Sequence, residues 1–400
     1  MKILIGPINL PGEISVDAQK PNNPGIGGSE YHSIVLASIL STRNEVTLWI
    51  NSGDLEIAGL RIVSTLDLDE DFGLQISFSS YANEHVPKPF PLVAISHHPF
   101  DSHILELPNR TLAIANVGDY QLKSNSRFAK KVGIPQIWLP VFLRNPQTEL
   151  RRESDGIGFT VGHVSSLHPS KGLHDVVSAW MRYLAIGGRG TLEILGGQSL
   201  YGLQESHSYL PVSKHYGERL LAIMGGSVPD TVKFLGRVPG DIASRIASWD
   251  LAILNPKGFG ESESVSMKDC WRESVPVVAG NRYGQRDYMR LFPSLASSKP
   301  RAIAKITRHL SHDRIRLATL QNQSRREYQL LFERGIQSGE LWKELVSSIA
   351  EGKKLSSHGM APTPASIKLS LLIRFEGWQI KLQIMVSKAL SHLRQFGVKS

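Results

Sequence analysis

The sequence predicts an α/β protein built from two doubly wound parallel sheets, on three observations. Short Val/Ile/Leu-rich runs recur without polar alternation, as strands covered on both faces require. Helix-like segments separate these runs and give a βαβ rhythm. At 400 residues the chain exceeds one ordinary core, and a polar stretch near its middle divides the runs into two sets.

The first set opens with "MKILIG" and a helical segment over 29–42. It continues through "EVTLWI", "LRIVS", "LQISF", "LVAIS", "TLAIAN" and "IWLPVF". The polar stretch "RNPQTELRRESDG" at 144–156 breaks the rhythm with a proline and a glycine. The second set holds "IGFTVGHV", a helical segment over 171–185, "TLEILGG", "VKFLG", "LAILNP" and "VPVVAG". The segment "GKKLSSHGMAPTPA" is rich in Gly, Pro and Ser and reads as a linker. The predicted organisation is therefore a domain over 1–148, a second over 149–351, a linker over 352–365 and a basic amphipathic helix over 366–400. No short-period repeat is present. In doubly wound sheets ligands bind beyond the carboxyl ends of the strands, so the strand ends are where chemistry is sought.

Composition bounds the function. Hydrophobic content of 41% and charged content of 20% describe a folded globular chain. One cysteine, Cys270, rules out a disulfide framework within the chain and fits a reducing cytoplasm. The apolar run at the N-terminus is too short for a signal peptide, and no stretch approaches the roughly 18 uncharged apolar residues of a spanning helix. A cytoplasmic location is expected. Of the net charge of +9, residues 353–400 carry +7, so the body is close to neutral and lacks the basic character of a nucleic-acid binder. In that tail Leu371, Phe375, Trp378, Leu382, Met385, Ala389, Leu393 and Phe396 share one helical face, flanked by Arg374, Lys381 and Lys388. The stripe suits either an anionic membrane surface, at the inner face, or packing on protein.

The stretch "LAILNPKGFGESESVSMKDCW" concentrates polar chemistry after a strand. The strand is expected to end near Asn255, a Gly-rich loop containing Gly260 follows, and a helix starts near Ser264 or Ser266. Free N–H groups at such a helix start attract anions, and a diphosphate fits them. Glu261 can accept hydrogen bonds from sugar hydroxyls, and Asp269, two turns on, from a ribose diol. The plainer reading is a capped surface helix whose acids favour its dipole. Elsewhere, Gly27 and Gly28 in "GIGGSEYHSIVLASIL" allow close backbone approach, or form only a turn. His97 and His98 follow the run "LVAIS"; no third residue at metal-ligand spacing accompanies them. Asp67 and Asp69 in "STLDLDEDF" form a D-x-D pair, more often solvated charge than a metal site.

Together these segments resemble the retaining GT-B glycosyltransferases of family 4, the "group 1" kind, over residues 1–350. The family carries Glu, seven residues and Glu after this strand; Glu261 and Asp269 match with one conservative change, and "SVPVVAG" matches the next strand. The "GIGG" loop, His97 and Lys171 in "VGHVSSLHPSKG" match further positions. The resemblance implies two Rossmann-like domains facing across a cleft. It implies hexosyl transfer from a UDP-, GDP- or ADP-sugar to a glycan or lipid-linked acceptor, with retention and without a metal or other cofactor. Glu261 would contact the donor sugar and Asp269 the ribose. Gly260 and the backbone of Ser264 and Val265 would face the diphosphate with Lys171. His97 would line the acceptor side, and Gly27 and Gly28 a phosphate or the acceptor. Two departures stand out: the family's arginine aligns with Ser166, and Glu263 adds a negative charge near the phosphates. His163, Arg237, Arg282 and Arg286 are the candidates to replace the missing cation. The departures motivate a second hypothesis, a non-catalytic binder of sugar nucleotides or glycans; a third is a GT-B-fold epimerase.

Overall fold

The structure is a computed structural model that describes residues 1–15, 28–57, 59–67, 69–81, 89–97, 107–147, 158–197, 210–236 and 242–356. Gly27, His98, Arg237 and the proposed tail helix lie outside the described residues, as does the expected linker beyond Ser356.

The first sheet contains β1 (Lys2–Ser15), β2 (Glu45–Glu56), β3 (Arg61–Val63), β4 (Leu74–Phe78), β5 (Leu92–Ser96), β6 (Thr111–Asn116) and β7 (Gln136–Trp138). Its order is β3-β2-β1-β4-β5-β6-β7, with every pairing parallel. The second contains β8 (Phe159–Val164), β9 (Gly190–Leu195), β10 (Val232–Gly236), β11 (Leu251–Leu254) and β12 (Val277–Ala279), in the order β10-β9-β8-β11-β12, again all parallel. Strand order reverses between β1 and β4 in one sheet and between β8 and β11 in the other, the doubly wound arrangement expected from the unalternating apolar runs. Every residue of β4, β5 and β11 is buried, so these strands are covered on both faces.

The helices are α1 (Gly28–Ser41), α2 (Asp119–Val132), α3 (Leu173–Ala185), α4 (Lys214–Ile223), α5 (Ala243–Ala247), α6 (Val265–Arg272), α7 (Arg286–Met289), α8 (Pro300–His312) and α9 (Arg314–Ala350). None among the described residues is long and apolar enough to cross a membrane.

Each sheet has its own core, and α9 belongs to both. Leu317, Leu320 and Tyr328, early in this helix, pack in the second core; Trp342, Leu345 and Val346, near its end, pack in the first. The extended segment between the domains is strapped along the way. Tyr328 Oη donates to the Arg144 carbonyl at 2.7 Å, Ser338 Oγ to that of Pro140 at 2.9 Å, and Arg272 Nε to that of Asn145 at 2.8 Å. The chain thus crosses between domains twice, and the two crossings are bonded to each other, which fixes how the strand ends of the two sheets face.

Candidate functional site

A cavity of about 300 Å³ lies where the carboxyl ends of the two sheets meet. Strand ends build its wall: Phe78 closes β4, His97 follows β5, Val117 follows β6, Val164 closes β8 and Leu254 closes β11. These include the strands on the far side of both order reversals, where doubly wound sheets bind ligands. A larger open groove of about 680 Å³ lies along α8 and the start of α9, lined by Lys305, Arg308, His309 and Ile315 among others. No strand end contributes to it, so it is a basic surface hollow.

On the cavity wall Lys171 Nζ donates to Glu261 Oε1 at 2.7 Å. Lys171 comes from a short turn after β8, Glu261 from the loop after β11, and the two strands are neighbours. Asn255, one residue past β11 with φ of 32°, donates from Nδ2 to the same Glu261 oxygen at 3.2 Å and to the Phe259 carbonyl at 2.8 Å. A left-handed φ is tolerated by Asn better than by most residues, so "LNP" carries the signal for this turn. The loop then passes Gly260, with φ of 72°, and reaches α6 at Val265. Ser264 occupies the N-cap, but its side chain makes no capping bond; the Val265 N–H donates to the Glu263 carbonyl at 3.0 Å, and Ser264, Val265 and Ser266 line the cavity edge.

Two close approaches hold this loop. A Cβ on Gly284 would lie 1.7 Å from the Ser262 carbonyl oxygen, so only glycine permits the loop its course. A Cβ on Gly28 would lie 2.7 Å from Val265 Cγ2, so the start of α1 rests against the start of α6 across the domain boundary. The Ser262 hydroxyl donates to the His97 backbone oxygen, a hydrogen bond across the same boundary. The His97 ring packs edge-on to Phe78, with centroids 4.5 Å apart.

Gly28, His97, Lys171, Gly260, Glu261, Ser264 and Val265 therefore line one cavity, drawn from both domains. Asp269 does not line it. About one turn into α6, its carboxylate lies 3.6 Å from Arg144 of the interdomain segment. Ser166 does line it, and among the described lining residues Lys171 is the only Lys or Arg. His163 cannot supply a second cation: it is fully buried, with one ring nitrogen 2.8 Å from the Ile253 carbonyl and the other 2.8 Å from Ser165 Oγ. Burial pushes its pKa down to about 4. Arg282, whose guanidinium lies over the Tyr283 ring, and Arg286 are not among the lining residues.

Glu263 is not left facing a phosphate as a bare charge. Its Oε1 accepts from both Lys268 Nζ and Tyr288 Oη, and the pair is almost wholly buried. Asp67 and Asp69 are exposed in a turn closed by the Asp69 N–H on Asp67 Oδ1 at 3.0 Å, away from the cavity. No group of three or more His, Cys, Asp or Glu among the described residues could hold a metal ion.

His32, unremarked in the sequence, also lines the cavity. It is buried on α1, stacked on Phe142 with centroids 4.8 Å apart, and Nδ1 accepts from the Phe142 N–H at 3.4 Å. Burial first, then the Lys268 charge, lower its pKa to about 3. Two buried neutral histidines predict acid sensitivity. Between their folded pKa values and 6.5 the unfolded chain binds protons that His32 and His163 refuse, so stability falls as pH drops through that window. Asp287 opposes this. Burial raises it from 3.8 to about 6, so the folded state binds its proton first and stability falls as pH rises from 3.8 to 6. The histidines outweigh it, at about 1.4 kcal/mol per pKa unit. The unfolding midpoint should be several degrees lower at pH 5 than at pH 7.5, by thermal melts in matched ionic strength; equal midpoints would contradict the burial argument.

No protein-family model and no curated protein sequence matches this chain. Its fold does match solved structures. The Anabaena protein HepE, solved in complex with UDP-glucose, is 17% identical with a TM-score of 0.61, covering 87% of this chain and 100% of that one. A glycosyltransferase from Rickettsia africae is 11% identical with a TM-score of 0.56, covering 86% and 98%. AviGT4, a glycosyltransferase involved in avilamycin A biosynthesis, is 16% identical with a TM-score of 0.53, covering 88% and 98%. With two parallel α/β domains facing across a cleft, the chain has the GT-B fold.

Proposed function

We propose that this protein is a hexosyltransferase that moves a sugar from a nucleoside-diphosphate sugar to a glycan or lipid-linked acceptor with retention, in the manner of family 4. The observation that carries the reading is the Lys171–Glu261 pair, set at the meeting of both sheets' strand ends and beside the starts of α1 and α6. Lys171 and the Ser264 N–H are suited to the diphosphate, and their fixed positive charge stabilises it as it leaves; the Val265 N–H would first have to leave the Glu263 carbonyl, to which it donates at 3.0 Å. Glu261 accepts from hydroxyls of the transferred sugar, with Gly260 leaving room beside it. His97 and Gly28 approach from the first domain, where the acceptor would enter. Asp269 serves the ribose only if Arg144 shares its carboxylate. The UDP-glucose bound by HepE supports a nucleotide sugar as ligand. A lipid-linked acceptor would bring the protein to the inner face of the membrane, with residues 366–400 as the contact.

Thermal-shift measurement with UDP-, GDP- and ADP-sugars tests this. One nucleotide class should raise the unfolding midpoint, since ligand at 100 times its Kd stabilises by about 2.7 kcal/mol, and the product formed from that donor should keep the anomeric configuration by NMR. If no donor shifts the midpoint, the reading is wrong. Ser166 on the cavity wall favours one alternative, a binder without turnover. Donor binding without transfer or hydrolysis would establish it.

A further inference from the structure

We propose that the Lys171–Glu261 ion pair is a selectivity device that admits the nucleotide sugar and rejects the bare nucleoside diphosphate left after transfer. The inference rests on the donor-site reading above. Glu261 does not depend on Lys171 for its position. Its Oε1 also accepts from Asn255 Nδ2, and Asn255 is itself anchored to the Phe259 carbonyl. When a diphosphate draws Lys171 away, the Glu261 carboxylate therefore stays in the cavity, with side-chain exposure of only 14%.

What happens next depends on the ligand. A nucleotide sugar brings hydroxyl donors that replace the lost ammonium at Glu261, so each group of the pair exchanges one partner for another. A bare diphosphate brings no such donor and carries one more negative charge on its terminal phosphate. It must share Lys171 with a carboxylate already bound to it, or leave that carboxylate without a counter-ion beside an anion, held only by the neutral Asn255 amide. Lys171 is the only Lys or Arg among the described lining residues, so none of the others relieves the conflict. The same two residues thus hold the donor and expel the product.

Calorimetric titration of the full chain measures this, with UDP and UDP-glucose, GDP and GDP-mannose, and ADP and ADP-glucose. Glu261→Gln, which keeps shape and removes charge, should bind the bare diphosphate about tenfold tighter than the wild type, the scale of one hydrogen bond to a charged group. It should bind the nucleotide sugar no tighter. Glu261→Ala should give the same ordering, so the outcome does not hang on one variant's folding. The gain should vanish in the Glu261→Gln/Lys171→Met double variant. Unchanged or weaker diphosphate binding by both single variants, or an equal gain for both ligands, overturns the selectivity device alone. If the wild type binds none of these nucleotides, the donor-site reading falls and takes this inference with it.

Discussion

Replacing Lys171 with methionine should lower kcat for sugar transfer by about 10²–10³-fold, the usual cost of losing one fixed group that stabilises a departing negative charge. The size of the effect follows from the lack of a substitute among the described residues. Ser166 is neutral, and His163 is buried with both ring nitrogens engaged and a pKa near 4. Arg282 and Arg286 lie off the cavity wall. The fold should hardly register the change, because a part-exposed ion pair contributes about 1 kcal/mol or less. Lys171→Arg should recover only part of the rate, since a planar guanidinium does not place its charge where a compact ammonium does. Initial-rate kinetics with the donor identified by thermal shift decide the matter. A wild-type kcat in Lys171→Met would mean that the leaving diphosphate is stabilised from elsewhere.

Lys171 and Glu261 are 90 residues apart in sequence, and their meeting was legible because both follow predicted parallel strands. Strands such as "LQISF" and "LAILNP" were readable because burial on both faces leaves an uninterrupted apolar run. Asp269 shows the limit. Its place on α6 could be inferred from spacing, but its partner, Arg144, comes from a connecting segment whose path depends on α9 and α6 gripping it. No local pattern encodes that. His32 was missed for a similar reason: it shares a helix with apolar residues, and only the folded chain shows that this face also reaches the cavity wall. The double role of α9 was hidden as well, because its buried face passes from one core to the other through the small residues Gly335, Ser338 and Gly339, which no apolar pattern marks.

Lys268→Met should destabilise the protein by about 3–5 kcal/mol, the range for removing one partner of a buried ion pair. Glu263 and Lys268 are spaced so that the start of α6 turns the lysine back over the preceding loop, where it shares Glu263 Oε1 with Tyr288. Burial pulls the Lys268 pKa down to about 7, while Asp269 and Asp287 work against that shift and contact with Glu263 favours the charged form. Without the ammonium, Glu263 keeps only the Tyr288 hydroxyl, and its Oε2 already lacks a hydrogen-bond partner among the described residues. That oxygen lies 3.1 Å from where a Cβ on Gly118 would be, so the uncompensated charge would press on the first domain as well as the second. Glu263→Leu/Lys268→Met should regain most of the loss, since a well-packed apolar pair is often as stable as the ions it replaces. Urea unfolding of the two single variants and the double closes the cycle. Additive losses would show that the two side chains are not coupled, and that the negative charge placed beside the proposed phosphate site is neutralised by something other than Lys268.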